Sequence, residues 1–482
     1  MKDLSEDKVS DQGTADTVLE DLSEGVRHHN AGRTKEAESV YRRILQADPE
    51  NADALHLLGV LARQAGRHDV AVDLIQRAIA RNGRNPSYHA NLGTALEVSG
   101  RREDALAAYR RAIVIKPDYP EAYFKLGSAL KSSDKPNDAF EAFRRAVKFK
   151  PDYAEAYNEL GALLGAARKT DMAIKALRRA IDIKPGYADA HYNLGLALQR
   201  SGRLDEAIQA LQRAVAIKPD FDSAMFNLSM ALLDRNDPAK MVEVCDACLK
   251  VDPGNRRMLS SKAVALNEAG DRDGARFLLD FDRFIRPTRI EAPAGFDGVA
   301  DFNKALAHQV CNDPTLEFER AGHATRFGGH TGDLLLDAQG PVAALKELME
   351  GAVEDYIRAM PEDKSHPFLA SRADRWKLTA WAVVMDTRGH QAPHIHSAAW
   401  VSGVYYVQLP NIGNLPEQEQ AGWIEFGRPQ PEFRCKVEPE VKLFQPEEGL
   451  MFLFPSYFYH GTVPIETEEQ RISIAFDVIP QD

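Results

Sequence analysis

The feature that most constrains this chain is a sequence period of 34 residues between residues 18 and 285. One segment reads NPSYHANLGTALEVSGRREDALAAYRRAIVIKPDY, and PEAYFKLGSALKSSDKPNDAFEAFRRAVKFKPDY follows it directly. A small residue recurs at this spacing, at Gly25, Gly59, Gly93, Gly127, Gly161, Gly195, Ser229 and Ala263. Alanine recurs twelve residues later in every unit but the seventh, which has Met241. Small residues at a fixed period predict pairs of antiparallel helices that cross closely, because larger side chains would hold the helices apart.

Proline recurs near the end of most units, where it terminates the second helix. The whole pattern resembles the tetratricopeptide repeat, with eight units over residues 18–285 after a flexible tail of residues 1–17. The resemblance implies a right-handed superhelix whose groove is lined by the first helix of each unit and binds a protein or peptide partner. The groove candidates in this register are Arg63, Lys131, Asn158, Tyr192, Asn193, Arg200 and Asn227.

Cys245 and Cys248 form a CxxC motif within the repeats. In the 34-residue register Cys248 aligns with the packed residues Ala146, Ala180 and Ala214. We therefore interpret both cysteines as small core residues and not as a redox or metal pair.

The charge distribution divides the chain into two regions. Residues 291–482 hold 15 Lys and Arg against 29 Asp and Glu, whereas the preceding 290 residues are nearly neutral. Neither region is basic, so we expect no nucleic-acid partner. The sequence has no uninterrupted apolar stretch of the ~18 residues that a membrane helix needs. The polar N-terminus also lacks the apolar core of a secretory signal, which predicts a cytoplasmic protein without a membrane association.

The sequence changes character after residue 285. The proline-containing segment RPTRIEAPAGFDG indicates a domain boundary, and residues 301–360 have helical periodicity. From about Trp376 the chain consists of short runs rich in aromatic and β-branched residues, such as KLTAWAVVM, WVSGVYYVQL, GLMFLF and RISIAFDVI. Such runs predict an antiparallel sandwich or barrel, with the β core at about 376–482. The predicted fold class is therefore a multidomain α + β chain, in which an all-α superhelix precedes a β domain with a helical lead-in over residues 290–482.

Three histidines lie at the ends of the predicted strands. His394 and His396 flank one residue, so in extended backbone their side chains point the same way, and His460 can complete the set from a facing strand. Three imidazoles at one point suit a first-row transition metal. Arg471 and Ser473 share a strand face by the same alternation, and together they can bind a carboxylate.

The runs HIHSAAWVSGVYYVQLP, AGWIEFGRP, EEGLMFLFPSYFYHGTVP and RISIAF resemble the 2-oxoglutarate–Fe(II) oxygenases, which have a double-stranded β-helix, or jelly-roll, fold. The resemblance implies Fe(II) held by His394, His396 and His460, and 2-oxoglutarate as cosubstrate. It assigns the far carboxylate of the cosubstrate to Arg471, with Ser473 assisting, and a hydroxyl contact to Tyr406. It implies a dioxygenase that hydroxylates a protein or peptide recruited by the repeats, as in some prolyl and aspartyl hydroxylases with helical-repeat regions. No catalytic residue beyond the metal site is predicted.

The sequence departs from this family in one position. His396 occupies the place of the usual carboxylate ligand, so either it is a third ligand or only His394 and His460 bind the metal. Two other functions remain open. The histidine pattern also resembles the cupins, some of which use three histidines, although no glutamate follows in residues 397–400. The missing carboxylate is also consistent with a catalytically degenerate domain in a tetratricopeptide scaffold for protein–protein interaction.

Overall fold

The structure, a computed structural model, describes residues 6–318, 324–410, 420–465 and 469–481, and their side chains except those of residues 6–16 and 386–388. The chain forms two compact units, Met1–Gly202 and Arg203–Asp482. The predicted fold class is confirmed: a helical-repeat superhelix precedes an antiparallel, curled β-sheet domain.

The first unit consists of helices alone among its described residues. Successive helices pack as antiparallel pairs, which is how the 34-residue units fold. The helices are α1 Glu6–Asn30, α2 Thr34–Ala47, α3 Ala52–Gln64, α4 His68–Arg81, α5 Pro86–Val98, α6 Arg102–Ile115, α7 Pro120–Ser132, α8 Pro136–Phe149, α9 Ala154–Ala166, α10 Thr170–Ile183 and α11 Ala188–Arg200. Residues 6–17, which belong to the predicted tail, lie in α1. Residues 1–5 of that tail lie outside the described residues.

The recurring glycines lie where the two helices of a pair cross. A Cβ atom on Gly93 would be 2.6 Å from Tyr109, and one on Gly127 would be 2.8 Å from Phe143. Both ring side chains are fully buried, so an added methyl group would meet a packed ring. The small residue of the period is therefore required by the aromatic or aliphatic side chain sixteen residues later.

The second unit begins with five more helices of the repeat pattern. They are α12 Leu204–Ile217, α13 Asp222–Asp234, α14 Pro238–Val251, α15 Arg256–Glu268 and α16 Arg272–Leu278. Leu259, Leu266 and Leu278 from these helices belong to the same buried cluster as the core of the β domain. The carboxylate of Glu268 accepts the backbone N–H groups of Lys436 and Val437 at 2.9 Å each. The last repeats and the β domain are thus joined by a shared hydrophobic core.

A helical lead-in connects these repeats to the strands. It comprises α17 Phe281–Phe284, α18 Val299–Cys311, α19 Gly340–Ala359 and α20 Pro367–Ala370. The strands are β1 Arg286–Arg289, β2 Glu317–Phe318, β3 Thr325–His330, β4 Trp376–Gln391, β5 Val401–Gln408, β6 Ile424–Phe426, β7 Lys442–Phe444, β8 Leu450–Pro455, β9 His460–Thr462 and β10 Arg471–Pro480. None of the described helices is long and apolar enough to cross a membrane.

The strands form two antiparallel sheets. One has seven strands in the order β1-β8-β5-β10-β4-β3-β2, and the other has three in the order β7-β6-β9. The side chains of β10 alternate between the two faces of the strand. One face places Ile472, Ile474, Phe476 and Val478 in the core, and the other places Arg471 and Ser473 in the lining of a cavity. That cavity also receives Ile424 of β6 and His460 of β9, so it lies between the two sheets.

Three short strands lie in or beside the helical lead-in. The segment RPTRIEAPAGFDG, which indicates a boundary in the sequence, begins with strand β1, paired antiparallel to β8. Strands β2 and β3 lie between α18 and α19 and extend the larger sheet.

Candidate metal centre

Backbone pairing between two strand ends brings the three histidines together. His394 donates its N–H to the carbonyl of His460 at 3.0 Å, and His460 returns a bond to the carbonyl of His394 at 3.1 Å. Two residues further, His396 donates its N–H to Ser456 at 3.0 Å, which keeps its side chain on the same side as that of His394. One ligand atom from each imidazole lies within 4.8 Å of the others.

The hydrogen bonds of the rings determine which nitrogens face one another. Nδ1 of His394 lies 2.9 Å from the carbonyl of Ala392, and Nδ1 of His460 lies 3.0 Å from that of Phe458. Nδ1 of His396 lies 2.6 Å from Oδ1 of Asp477. Each of these partners is an acceptor, so each Nδ1 carries the proton and each Nε2 keeps its lone pair. Three Nε2 lone pairs that share a small space are a donor set for a metal ion.

Burial keeps two of these imidazoles neutral. Burial, together with the smaller effect of the nearby His396, lowers the pKa of His394 to about 3. Burial, and then the proximity of His394 and His396, holds the pKa of His460 well below its usual value. A neutral imidazole is the form that binds a metal, so no proton has to be removed from these two ligands at neutral pH.

Arg471, Ser473 and Tyr406 lie in the same cavity as the three histidines. Ser473 of β10 pairs with Tyr406 of β5, which places the two side chains beside each other. The Arg471 guanidinium lies 5.2 Å from the centre of the Tyr406 ring and donates to the carbonyl of Gly422. Tyr405, the neighbour of Tyr406, points the other way and donates its hydroxyl to Asn303 of α18. The structure therefore collects all six residues singled out from the sequence in one cavity.

Arg471 is a buried cation with no ion-pair partner among the described residues. Its side chain is 3% exposed, burial lowers its pKa, and its Nε finds no hydrogen-bond acceptor in the part of the chain that the structure describes. No ion pair formed within the described part of the chain includes this residue. Arginine stays charged in proteins, and an uncompensated buried charge costs several kcal/mol. The cavity therefore favours an anionic ligand beside the imidazoles.

The sequence interpretation missed two polar residues behind His396. Asp477 accepts from the imidazole of His396 and, at 2.6 Å, from the hydroxyl of Ser402. The alternation along β10 places Asp477 on the same face as Arg471 and Ser473, and that signal could have identified it. The pairing of Asp477 with Ser402 depends on the register between β10 and β5, which the residue pattern does not reveal.

The described part of the chain adds no carboxylate to the three imidazoles. Among the described residues, they form the only group of three or more histidine, cysteine or acidic side chains close enough to hold a metal. Glu425, a nearby carboxylate on β6, is instead paired with Arg428 at 2.8 Å. The three imidazoles therefore differ from the usual ligand set in the way that the sequence indicates.

Several groove candidates of the first unit connect neighbouring repeats. The side-chain amide of Asn193 donates to that of Asn158 at 2.9 Å, and Arg200 donates to the carbonyl of Gly165 at 2.8 Å. Lys131 pairs with Glu159 at 2.7 Å. These bonds link helices about one repeat apart, so part of the polar pattern on the first helices stabilises the stacking of the repeats.

Comparisons with known families match both the repeats and the β domain. A family described as "Putative 2OG-Fe(II) oxygenase" matches residues 379–477, which include every residue of the cavity site named above. Two tetratricopeptide-repeat families match between residues 22 and 231, one at 22–88, 56–120, 90–154 and 124–188 and the other at 165–231. No curated protein matches the chain.

Three of the similar solved structures each cover 36–44% of this chain. MamA is 29% identical over 36% of this chain and 93% of its own, with a TM-score of 0.33. YrrB, a tetratricopeptide-repeat protein, is 20% identical over 38% of this chain and 95% of its own, with a TM-score of 0.34. PilF of Pseudomonas aeruginosa is 20% identical over 44% of this chain and 96% of its own, with a TM-score of 0.42. The family models thus show tetratricopeptide repeats at residues 22–231 and a domain that matches the "Putative 2OG-Fe(II) oxygenase" family at residues 379–477.

Proposed function

We propose that this protein is a 2-oxoglutarate- and Fe(II)-dependent dioxygenase that hydroxylates a polypeptide held by its repeats. His394, His396 and His460 hold the metal, and Arg471, Ser473 and Tyr406 hold the cosubstrate. One observation supports this assignment most directly: the cavity that receives three imidazole rings also contains a buried guanidinium with an unpaired Nε.

The chemistry of the donors fits both groups. Neutral imidazoles suit Fe(II), and a buried guanidinium suits a carboxylate because its planar N–H groups match the carboxylate oxygens. The hydroxyls of Ser473 and Tyr406 lie on the same wall and can donate further hydrogen bonds to an anion. A bound Fe(II) ion would supply activation of dioxygen, which side chains alone cannot provide.

The residues of this chain then have separate tasks. Arg471 neutralises and orients the distal carboxylate, and Ser473 and Tyr406 determine the direction in which the cosubstrate enters. The apolar walls, which include Ile424 and Phe454, exclude water from the reacting groups. The three histidines would hold the metal, and the backbone bonds between His394 and His460 fix the relative positions of two of them.

The decisive experiment is an anaerobic calorimetric titration of 2-oxoglutarate into the Fe(II)-loaded protein. We expect binding that requires the metal, a loss of binding in His460→Ala, and an affinity lower by about 10–100-fold in Arg471→Gln, because a hydrogen bond to a charged group contributes ~1.5–3 kcal/mol. Matched controls are His308→Ala, an exposed histidine of α18, and Arg428→Gln, an arginine on the surface of the β domain.

Two results would refute the assignment. If the metal-loaded protein did not bind 2-oxoglutarate, the domain would be a scaffold or a metalloenzyme of another class. If Arg471→Gln bound the cosubstrate as well as the unchanged protein, the carboxylate would lie elsewhere in the cavity.

The polypeptide substrate is supported by the tetratricopeptide repeats in the same chain, since such arrays bind extended segments in their groove. We expect a peptide library incubated with the full chain, iron and cosubstrate to yield products heavier by one oxygen atom. A chain that begins at Arg203 should still bind 2-oxoglutarate but lose most of this peptide oxidation. Equal oxidation by both chains would show that the first unit does not recruit the substrate.

A further inference from the structure

We infer that Asp477 is a positioning residue for the metal and that it supplies, from behind the imidazole of His396, the negative charge that the ligand set lacks. This inference rests on the proposed function only in that the three histidines bind a metal ion. It makes no use of 2-oxoglutarate, so the two can be tested separately.

Asp477 is held in place by its sheet neighbours. It lies on β10 opposite Ser402 of β5, and the two side chains are 8% and 0% exposed. Oδ1 of Asp477 accepts the hydroxyl of Ser402 at 2.6 Å and Nδ1–H of His396 at 2.6 Å. The Ser402 hydroxyl also lies 3.2 Å from Nδ1 of His396. Oδ1 of Asp477 therefore accepts from both His396 and Ser402, and these contacts fix the rotation of the His396 ring.

His396 differs from the other two ligands in this contact. Nδ1 of His394 and of His460 meets a neutral backbone carbonyl, whereas Nδ1 of His396 meets a carboxylate. A hydrogen bond to an ionised acceptor is about twice as strong as one between neutral groups. It also makes the opposite nitrogen a better donor, which is why carboxylates recur behind metal-bound histidines.

The contact between Asp477 and His396 lies at the position where the ligand set departs from the family. His396 stands where the resemblance leads us to expect a carboxylate ligand, and Asp477 places a carboxylate one imidazole further from the metal. Asp477 has no Lys or Arg partner among the ion pairs of the described residues, and its only cationic contact would be His396. Among the described residues, the hydrogen-bond partners of the Asp477 carboxylate are His396 and Ser402. A cation bound to Nε2 of His396 would offset the negative charge of Asp477 across the imidazole ring.

The test is a calorimetric titration of Co(II) alone into the full chain, without cosubstrate. We expect Asp477→Asn to weaken Co(II) binding by about 10–100-fold, the usual effect of removing a partner of a ligating histidine. The matched control is Asp333→Asn, because Asp333 also accepts backbone bonds beside the sheet, at 3.0 Å from Leu335 and 3.1 Å from Ala380, but lies outside the cavity. That variant should bind Co(II) like the unchanged protein.

A double-mutant cycle shows whether Asp477 acts through His396. In a His396→Ala background, Asp477→Asn should change Co(II) affinity by less than about 3-fold, because the group through which it acts is absent. The visible absorption of bound Co(II) should also change in Asp477→Asn. A merely structural role would instead lower the thermal midpoint of the metal-free protein and leave the Co(II) affinity of the folded protein unchanged.

Three outcomes would overturn the inference. The inference would be wrong if Asp477→Asn bound Co(II) as tightly as the unchanged protein. It would also be wrong if Asp477→Asn weakened Co(II) binding equally with His396 present and with His396 replaced by alanine. Tight Co(II) binding by His396→Ala would show that His396 is not a ligand. If the unchanged protein bound no Co(II), the proposed function would fail together with this inference, whereas failure of 2-oxoglutarate binding alone would leave it intact.

Discussion

At the scale of single residues, the repeats are governed by one pair of positions sixteen residues apart. In the pairs Gly25 with Tyr41, Gly93 with Tyr109 and Gly161 with Leu177, a Cβ on the glycine would lie 2.4–2.6 Å from the larger side chain. The seventh unit has two small residues of similar size at these positions: Ser229 replaces glycine, and Cys245 takes the place of the large residue, with Oγ and Sγ 3.9 Å apart.

This exchange explains Cys245, which the sequence interpretation assigned to the core. It is fully buried, and burial raises its pKa to about 12, so its thiol stays protonated at neutral pH. A protonated, inaccessible thiol is a poor nucleophile and a poor metal ligand. Cys245 is therefore the small partner that allows a serine at the crossing.

Gly127→Ala should lower the free energy of unfolding by about 1–3 kcal/mol, although alanine is the better helix former. The added methyl group would meet the buried ring of Phe143 at 2.8 Å. Urea unfolding followed by circular dichroism measures the change. Gly351→Ala is the matched control, because Gly351 also lies inside a helix but a Cβ added there would meet nothing within 4 Å, and it should be neutral or stabilising. A neutral Gly127→Ala would mean that the crossing can widen.

The residue pattern predicts which side chains of the site share a strand face, but not the contacts between strands. The alternation of extended backbone places His394 with His396, and Arg471 with Ser473, without knowledge of any partner strand. It does not reveal that Nδ1 of His396 meets Asp477, because that contact depends on strand register.

At the scale of the elements, a left-handed residue closes the turn between the two helices of a repeat. Gly32, Gly66 and Gly100 have φ of 72–76°, and the same position is Asp134 with φ of 54° and Arg168 with φ of 57°. Glycine adopts this conformation without strain, and aspartate tolerates it better than most residues. Arg168 is therefore the strained member of the series.

Arg168→Gly should raise the urea midpoint of the first unit, with a gain of about 1 kcal/mol in the free energy of unfolding. The left-handed conformation costs a non-glycine residue ~1–2 kcal/mol, and the greater freedom of glycine in the unfolded chain offsets part of that gain. Asp134→Gly serves as the comparison and should gain less. An unchanged midpoint in Arg168→Gly would indicate that contacts of the arginine side chain compensate for the strain.

Elements with a clear period could be predicted, whereas those held by their neighbours could not. Strands β4, β5, β8 and β10 coincide with the aromatic and β-branched runs of the sequence. Strand β1 contains Pro287 and is exposed along its whole length, so it has no buried face to produce an alternating pattern. Strand β9 has three residues, too few to show a period.

At the scale of the whole molecule, the compact unit does not begin where the repeats end in the sequence. The composition changes near residue 290, but the second compact unit starts at Arg203. Hydrophobic packing accounts for the difference, because Leu259, Leu266 and Leu278 of the repeats share the core of the β domain. A boundary inferred from the sequence period takes no account of contacts between the repeat helices and the β domain.

Residues 203–482 should therefore remain folded when produced alone, whereas residues 290–482 should not. The shorter chain loses the repeat helices and α17, whose buried side chains include Phe281 and Phe284, and exposes the apolar surface beneath them. Thermal unfolding and binding of an apolar dye distinguish the two chains: the shorter should bind the dye at room temperature and lack a cooperative transition. A cooperative transition at the same midpoint in both would show that the shared core contributes little.

The shared core also has a consequence for how such a protein can diversify. Repeats in the first unit are built from contacts between successive helices, so units there can be exchanged, lost or duplicated with their crossing and turn residues intact. The last repeats are constrained by a second set of neighbours, since Arg256 of α15 donates at 3.1 Å to the carbonyl of Ala399, three residues beyond His396. Relatives with new partners should accordingly vary most in the number and surface of the early repeats, and a designer who wishes to redirect the protein should recombine those and leave α15 and α16 unchanged.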